Sequence, residues 1–324
     1  MLCPTGCGGS LAIEATGGIC TICPYTVEYH GKVLDFVRGE KESHLDVTLY
    51  DQQVKESAGH GRIFGQLTDV LGHMGGERFP VVLEIGSGTG AWTLGLDASA
   101  NFDEVYATDL SLNMLRLLSE RTTNDKTHLV CQSAENMMLG NESVDLIVGR
   151  SILHHILDYR RLLEKCGRWL RRDGLAVFYE PSMQGKAWVA FFADLLRRLD
   201  TRLGIEAFSK DEKKKLERTM RHILKDYYLD DIERVRPDIE DKHIFEIETL
   251  RTIGSECGFS AVNVYDDCEP KQLVTQMKAA IGSLGVNRSS LSRYDCMFEA
   301  FTATIGLALP RAYTSPMVFF ALRK

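Results

Sequence analysis

The most constraining stretch of this sequence is a short apolar run that ends in three closely spaced glycines. Residues 81–90 read VVLEIGSGTG, and a helical pattern begins directly after them. An apolar run of this kind predicts a buried parallel strand. Glycines after such a strand allow a sharp turn and close approach of a ligand to the backbone, with helix N–H groups facing it. The segment predicts a nucleotide-type site in an α/β fold, and it also fits the dinucleotide-binding fingerprint.

Two acidic residues narrow the choice of ligand. Glu84 lies inside the apolar strand, so its carboxylate needs a partner, either the N–H groups of the loop or a cationic group of the ligand. A pyrophosphate would be repelled there, which disfavours an NAD(P)-dependent oxidoreductase. Asp109 ends a second predicted strand about 20 residues after the loop, where a carboxylate can bind both ribose hydroxyls. Nicotinamide enzymes share that acid, so Asp109 supports nucleoside binding without separating the two classes.

The segments that follow alternate between strand and helix patterns at short spacing. Strands are predicted at 128–131, 143–148 and 175–180, and an amphipathic helix at 162–170. This alternation predicts a doubly wound parallel sheet.

Residues 80–181 resemble class I methyltransferases of the quinone-biosynthesis type, which use S-adenosylmethionine (SAM). The matching pieces occur in the expected order, and residues 254–264 extend them as the last helix and sixth strand. They are ExGxGxG at 84–90, the acid at 109, S-x-x-M at 111–114, SAE at 133–135, SVDLIV at 143–148, LHHI at 153–156 and YEP at 179–181. The resemblance implies a Rossmann-like, doubly wound sheet of seven strands that binds SAM.

The resemblance also implies roles for individual residues at the cofactor site. The loop glycines would line the methionine part of SAM, Asp109 would hold the ribose, and Leu110 and Met114 would pack on the adenine. In this family an acid commonly stands where this chain has Ser133, so a hydroxyl or Glu135 must bind the adenine amino group. Arg150 would contribute backbone groups near the methionine end. The full implied set is Glu84, Gly86, Ser87, Gly88, Gly90, Asp109, Leu110, Met114, Ser133, Ala134, Glu135 and Arg150.

A catalytic base is needed only when the methyl acceptor holds a proton at neutral pH. The candidates are His155, His154, Glu180 and His243. We favour His155 because it follows the fourth strand of the fold, beside the expected sulfonium, while a packing or helix-capping role remains the alternative. The sequence has no Asn/Asp-Pro-Pro-Tyr segment, which disfavours methylation of an adenine or glutamine amino group by that route. An oxygen or sulfur acceptor is favoured, and a carbon acceptor stays open.

Two long helical segments interrupt the expected order of strands. They lie at about 182–246 and 267–313, and both contain aromatic and charged residues at helical spacing. Two such insertions on one sheet predict a lid over a pocket that excludes water, which favours an enclosed small-molecule acceptor over a long duplex. We therefore predict a methyltransferase domain at 80–324, preceded by a linker and N-terminal helical segment at 39–79.

Four cysteines cluster near the beginning of the sequence. Cys3, Cys7, Cys20 and Cys23 have the spacing C-x3-C-x12-C-x2-C, among several glycines. Two close pairs can supply the four thiolates of a tetrahedral zinc site, which leaves no open position for catalysis. The segment resembles the zinc ribbons that precede some methyltransferases, although their first pair is usually C-x2-C. We predict a structural zinc-ribbon module at 1–38, with unrelated buried or free cysteines as the alternative.

Composition limits the remaining classes of function. The net charge of −7 disfavours a protein that tracks nucleic-acid phosphates. No apolar run approaches the ~20 residues of a membrane span. The nine cysteines and the lack of an export signal in the first residues predict a reducing, cytoplasmic location. Two alternatives stay open: an RNA methyltransferase whose ribbon contacts RNA, and a non-catalytic SAM-fold protein. A protein partner or a second copy docking on the ribbon or the insertions also stays open.

Overall fold

The computed structural model describes residues 1–37, 47–58, 60–76, 78–222, 242–266, 270–282 and 285–324. The strands are β1 Leu11–Glu14, β2 Gly17–Cys20, β3 Thr26–His30, β4 Val33–Asp35, β5 Val81–Ile85, β6 Glu104–Asp109, β7 Thr127–Cys131, β8 Val144–Arg150, β9 Leu170–Pro181, β10 Ala261–Asp266 and β11 Met317–Arg323. The helices are α1 Val47–Ala58, α2 His60–His73, α3 Thr93–Ala98, α4 Leu112–Ser119, α5 Tyr159–Trp169, α6 Met183–Leu203, α7 Lys210–His222, α8 Ile247–Glu256, α9 Pro270–Gly282, α10 Arg288–Leu291 and α11 Asp295–Ala308. Within these ranges no helix is both long and apolar enough to cross a membrane.

The strand order of the sheet reverses at β5. The order in the sheet is β1-β2-β3-β4-β7-β6-β5-β8-β9-β11-β10. Strand β5 pairs in parallel with β6 on one side and with β8 on the other, so the chain order reverses at β5. Ligands of open α/β sheets bind outside the carboxyl ends of the strands at such a reversal. The α/β, Rossmann-like architecture predicted from the sequence is thereby confirmed.

The sheet is wider than the predicted seven strands. Four N-terminal strands extend it to 11 within the described residues, because β4 pairs in parallel with β7, with Val33 opposite Leu129. All three residues of β4 are buried, Val33, Leu34 and Asp35 alike. An exposed edge at β7 would present unpaired backbone groups, and β4 covers it. The remaining strands, β5–β11, number seven, so the seven-stranded methyltransferase sheet stays a prediction, and the N-terminal strands continue it at the β7 side.

The chain divides into two compact units. The first contains Met1–Phe178, Ile253–Val262 and Ala321–Lys324. Its helix α4 begins after Ser111, whose Oγ caps the helix by accepting a hydrogen bond from the backbone N–H of Met114.

The second unit contains Tyr179–Thr252 and Asn263–Phe320. The predicted insertions at about 182–246 and 267–313 are helical where they are described, and residues 223–241, 267–269 and 283–284 lie outside the described part. Helices from both insertions share one hydrophobic core, with buried side chains that include Phe192, Met277 and Phe298. The insertions thus form one folded body, and their predicted role as a roof over the cofactor stays a prediction.

A buried carboxylate joins the two insertions in this unit. Asp200 accepts a hydrogen bond from Tyr294 Oη at 2.7 Å and pairs with Lys213 Nζ at 2.8 Å. Tyr294→Phe removes one donor from a buried charge, so we expect a loss of roughly 1.5–3 kcal/mol in the free energy of unfolding. Denaturant unfolding measures it, with Tyr29→Phe in the ribbon as the control. An equal, small loss in both variants would contradict this structural role.

Candidate functional site

The glycine loop follows β5 at the point where the strand order reverses. Gly86, Gly88 and Gly90 have positive φ angles of 73°, 53° and 99°. A methyl group on Gly86 would lie 2.8 Å from Ile152, and one on Gly90 would lie 2.5 Å from Leu118. Backbone conformation and neighbouring side chains therefore both require glycine at these two positions.

The carboxylate of Asp109 closes the loop from the end of β6. Its Oδ2 accepts the backbone N–H of Gly88 at 2.8 Å, and its Oδ1 accepts that of Ser111 at 2.8 Å. Burial raises the pKa of Asp109, and these backbone hydrogen bonds partly oppose the rise. Each carboxylate oxygen retains a second lone pair that can accept a ribose hydroxyl. The acid and the loop predicted from the sequence are thus in direct contact.

Asp109→Asn should weaken the binding of S-adenosylhomocysteine (SAH), the demethylated product, by about 5- to 150-fold. The amide presents an NH2 group to one of the two backbone donors, and it removes a charged acceptor for the ligand. Together these changes should cost ~1–3 kcal/mol of SAH binding free energy. Calorimetric titration measures the affinity. Asp103→Asn is the matched control, since that carboxylate pairs with Arg78 on the surface. Unchanged affinity for SAH would refute the ribose role.

Glu84 is buried and has a different partner from those expected. The hydroxyl of Thr93, the first residue of α3, donates a hydrogen bond of 2.6 Å to Glu84 Oε2. Burial raises the pKa of Glu84 to about 7. The carboxyl therefore ties β5 to the helix that follows the loop, while a contact with the amino end of SAM stays a prediction.

The raised pKa of Glu84 predicts that this residue's contribution to the free energy of unfolding depends on pH. The folded state holds this group at a pKa of about 7 instead of 4.5, so its stabilising effect is complete below 4.5 and is lost as the pH rises through 7. Ligand-free Glu84→Gln should be more stable relative to wild type at about pH 8 than at about pH 5.5, by on the order of 2 kcal/mol.

Denaturant unfolding at the two pH values measures this difference. Glu120→Gln, at an exposed position of the same unit, is the control. A difference between Glu84→Gln and wild type that does not change with pH would contradict the raised pKa.

The residues predicted around the adenine have unequal exposure. Leu110 has 41% of its surface exposed, whereas Met114 and Ala134 are buried. Ser133 is half-buried and Glu135 is exposed. Their contacts with the cofactor stay predictions.

Helix α1 supplies residues that sequence reasoning did not single out. A methyl group on Gly88 would lie 3.6 Å from the ring and the hydroxyl of Tyr50. The next residue, Asp51, is bound by two guanidinium nitrogens of Arg121 at 2.6 Å, and Arg121 also donates to the carbonyl of Thr89 at 3.3 Å. This partly buried ion pair holds α1 beside the glycine loop. No local motif marks it, because the two partners are 70 residues apart.

The loop also contains polar groups suited to a ligand. Ser87 Oγ and Thr89 Oγ1 are buried and have no hydrogen-bond partner among the described residues. Buried hydroxyls are usually paired, so unpaired ones beside a glycine loop favour a polar ligand there. Together with the carboxylate of Asp109, these groups fit the polar amino-acid and ribose portions of SAM.

The four candidate bases fall into two pairs. His154 and His155 occupy the 3-10 helix Leu153–His155 after β8, with their ring centroids 4.0 Å apart. His154 is buried and His155 is half-buried. Burial raises the pKa of Asp109, and the nearby His155 is among the influences that oppose the rise, so His155 lies within electrostatic range of Asp109.

The other pair belongs to the second compact unit. Ser182 and Phe245 form a parallel bridge, and Glu180 and His243 each stand two residues before it. The side chain of Glu180 is fully buried. Each pair is therefore assembled within its own unit.

The four N-terminal cysteines lie together. Their sulfur atoms are all within 4.8 Å of one another, with 3.4 Å between Cys7 and Cys20 and 3.7 Å between Cys3 and Cys23. Zinc–sulfur bonds of about 2.3 Å place the sulfurs of a tetrahedral site about 3.8 Å apart, so this arrangement fits a zinc ion.

Comparison with known proteins agrees with the geometry of the loop. Residues 83–178 match the family described as a methyltransferase domain. The match lies within the first compact unit and contains the glycine loop and Asp109.

Particular relatives match shorter or more distant parts. The malonyl-[acyl-carrier protein] O-methyltransferase of Marinomonas sp. is 35% identical over 114 residues, which are 33% of this chain and 42% of the relative. The enzyme of the same name from Methylococcus capsulatus is 33% identical over 129 residues, 40% of this chain and 46% of the relative. The matches thus span less than half the length of these relatives. The structure of phosphoethanolamine N-methyltransferase 2 from Haemonchus contortus with SAM is 17% identical, with a TM-score of 0.46, over 81% of this chain and 52% of that one.

Proposed function

We propose that this chain transfers a methyl group from SAM to an oxygen atom of an enclosed small-molecule acceptor. The observation that carries the proposal is a methyltransferase domain at 83–178 in which the backbone N–H of Gly88 donates to the carboxylate of Asp109 at the strand reversal. The cofactor would be held by the set of residues from Glu84 to Arg150 that the sequence predicts. Tyr50 of α1 is added to that set.

Methyl transfer requires little of the protein beyond positioning the methyl donor and the acceptor. SAM supplies an electrophilic methyl carbon attached to a sulfonium. A lone pair of the acceptor oxygen forms the new C–O bond while the C–S bond breaks, and its electron pair stays on the sulfur. The chain holds the reactants in line and excludes water. Where the acceptor is a hydroxyl, His155 takes the proton; a carboxylate acceptor has none to remove.

The choice of oxygen rests on two observations. Both curated relatives, at 33–35% identity in the matched part, are named O-methyltransferases. The sequence also lacks the Asn/Asp-Pro-Pro-Tyr segment of one amino-methylating route. The names of these relatives make an acyl carboxylate on a carrier protein one acceptor to test. Since the matches cover less than half of each relative, small hydroxyl compounds are tested beside it.

A competition between acceptor classes tests the proposal. The full chain would be incubated with methyl-labelled SAM and a panel of carboxylic acids, acyl thioesters, phenols, thiols, amines and RNA, and the labelled products identified by mass spectrometry. We expect label on oxygen. Label only on an amine, a thiol or RNA would overturn the oxygen assignment, and bound SAM without transfer to any class would favour the non-catalytic alternative.

We also propose that Cys3, Cys7, Cys20 and Cys23 hold one structural zinc ion. The sulfur-to-sulfur distances support this, together with the small core of the ribbon. A reducing, cytoplasmic location follows from the cysteine content of the sequence.

A further inference from the structure

Strand β4 joins the cysteine ribbon to the strands next to the predicted cofactor site. Asp35, its last residue, is the register partner of Cys131 in β7, and Cys131 is the register partner of Asp109 in β6. Neighbouring strands are about 4.8 Å apart, so the end of the ribbon lies about 10 Å from the predicted ribose acid, in one row across three strands.

The two faces of β4 contact two different parts of the protein. Leu34 packs in the same buried cluster as Cys3 and Cys20. Val33 packs in the cluster formed by β7 and by Leu115 of α4, the helix that also carries Met114. A displacement of this three-residue strand would therefore reach both the cysteine centre and the adenine side of the cofactor site.

Hydrogen bonds continue the same connection. The backbone N–H of Phe36 donates to the carbonyl of Cys131 at 2.9 Å, and that of Gln132 donates to the carbonyl of Asp109 at 2.9 Å. The thiol of Cys131 donates to the carbonyl of Leu110 at 3.5 Å. Burial, followed by the negative charge of Asp35, raises the pKa of Cys131 to about 12, so the thiol keeps its proton and remains a donor.

We infer that the metal state of the four-cysteine ribbon controls the affinity of the cofactor site for SAM. Asp35 is the positioning residue that couples the ribbon, through Cys131, to Leu110 and Asp109. The inference rests on the proposed SAM and zinc sites. When the metal is lost, the sulfur atoms no longer hold the ribbon strands together, and β4 is no longer fixed against β7. The row formed by Asp35, Cys131 and Asp109 then becomes more mobile. Ordering these residues again when the cofactor binds costs part of its binding free energy.

The first experiment compares one protein in two metal states. SAH is titrated into the full chain carrying one equivalent of zinc, and into the same chain after chelation. The temperature is chosen so that far-ultraviolet circular dichroism shows the α/β domain still folded in both states. We expect affinity to fall about tenfold, within the usual range of coupling between sites. Equal affinity in the two states would overturn the inference. Failure of the zinc-loaded chain to bind SAH would instead overturn the proposed function beneath it.

The second experiment separates transmission from metal binding. Asp35→Asn leaves all four thiols in place, so it should keep one equivalent of zinc while weakening SAH binding about 3- to 10-fold. Hydrogen exchange at the backbone N–H of Gln132 should become faster. Glu28→Gln is the matched control, since Glu28 is exposed on β3 and is the register partner of Asp35. Unchanged SAH affinity and exchange in Asp35→Asn, with zinc retained, would overturn the role of Asp35.

Discussion

Cys20→Ser should release the metal and unfold the N-terminal ribbon. The backbone N–H groups of Ile22 and Cys23 each donate to Cys20 Sγ at 3.4 Å, so this proposed zinc ligand also organises the second turn. The ribbon core contains few side chains, and a structural zinc ion contributes about 10–16 kcal/mol to small zinc-dependent folds. Elemental analysis measures the metal, and hydrogen exchange in β1–β3 measures the folding of the ribbon.

A cysteine elsewhere in the chain provides the control. Cys296→Ser changes an exposed thiol and should retain one equivalent of metal and normal exchange protection in the ribbon. Wild-type protein that contains no metal when purified without chelator would contradict the zinc assignment.

His155→Ala should lower the rate of methyl transfer to a hydroxyl acceptor by about 10²- to 10⁴-fold, the usual effect of losing a general base. The half-buried ring stands after β8, within electrostatic range of Asp109. A neutral imidazole can take a proton near pH 7. Affinity for SAH and thermal stability should remain near the wild-type values, because the variant removes an acceptor of the transferred proton and not a core side chain.

Two controls make this prediction specific. His154→Ala removes the buried neighbour and should lower thermal stability more than the rate per folded molecule. A carboxylate acceptor needs no base, so His155→Ala should affect its methylation little. If both variants melt early yet keep the wild-type rate with a hydroxyl acceptor, the two histidines are structural.

The parts of the fold that local patterns determine could be predicted from the sequence. The run Val81–Ile85, the glycines after it and the acid at Asp109 each require particular residue types within a short stretch, because the backbone turn and the buried strand leave few substitutes. The alternation of strands and helices then limits the topology, since connections in parallel sheets are short and of one hand.

Long-range pairings could not be predicted in this way. Strand β4 is three residues long, too short for its periodicity to indicate a strand, and its partner β7 is distant in the sequence. The ion pair of Asp51 with Arg121 involves two common residue types whose pairing no local pattern predicts. Helical spacing identified both insertions but could not show that their apolar faces pack on each other.

The most direct test of the account is a calorimetric titration of the zinc-replete full chain with SAM, with NADH as the competing ligand. We expect one SAM per chain, binding that is weakened in Asp109→Asn and retained in Asp103→Asn, and no saturable binding of NADH. Saturable binding of NADH in place of SAM, or SAM binding that is indifferent to Asp109, would contradict the assignment of this loop to a methyltransferase site.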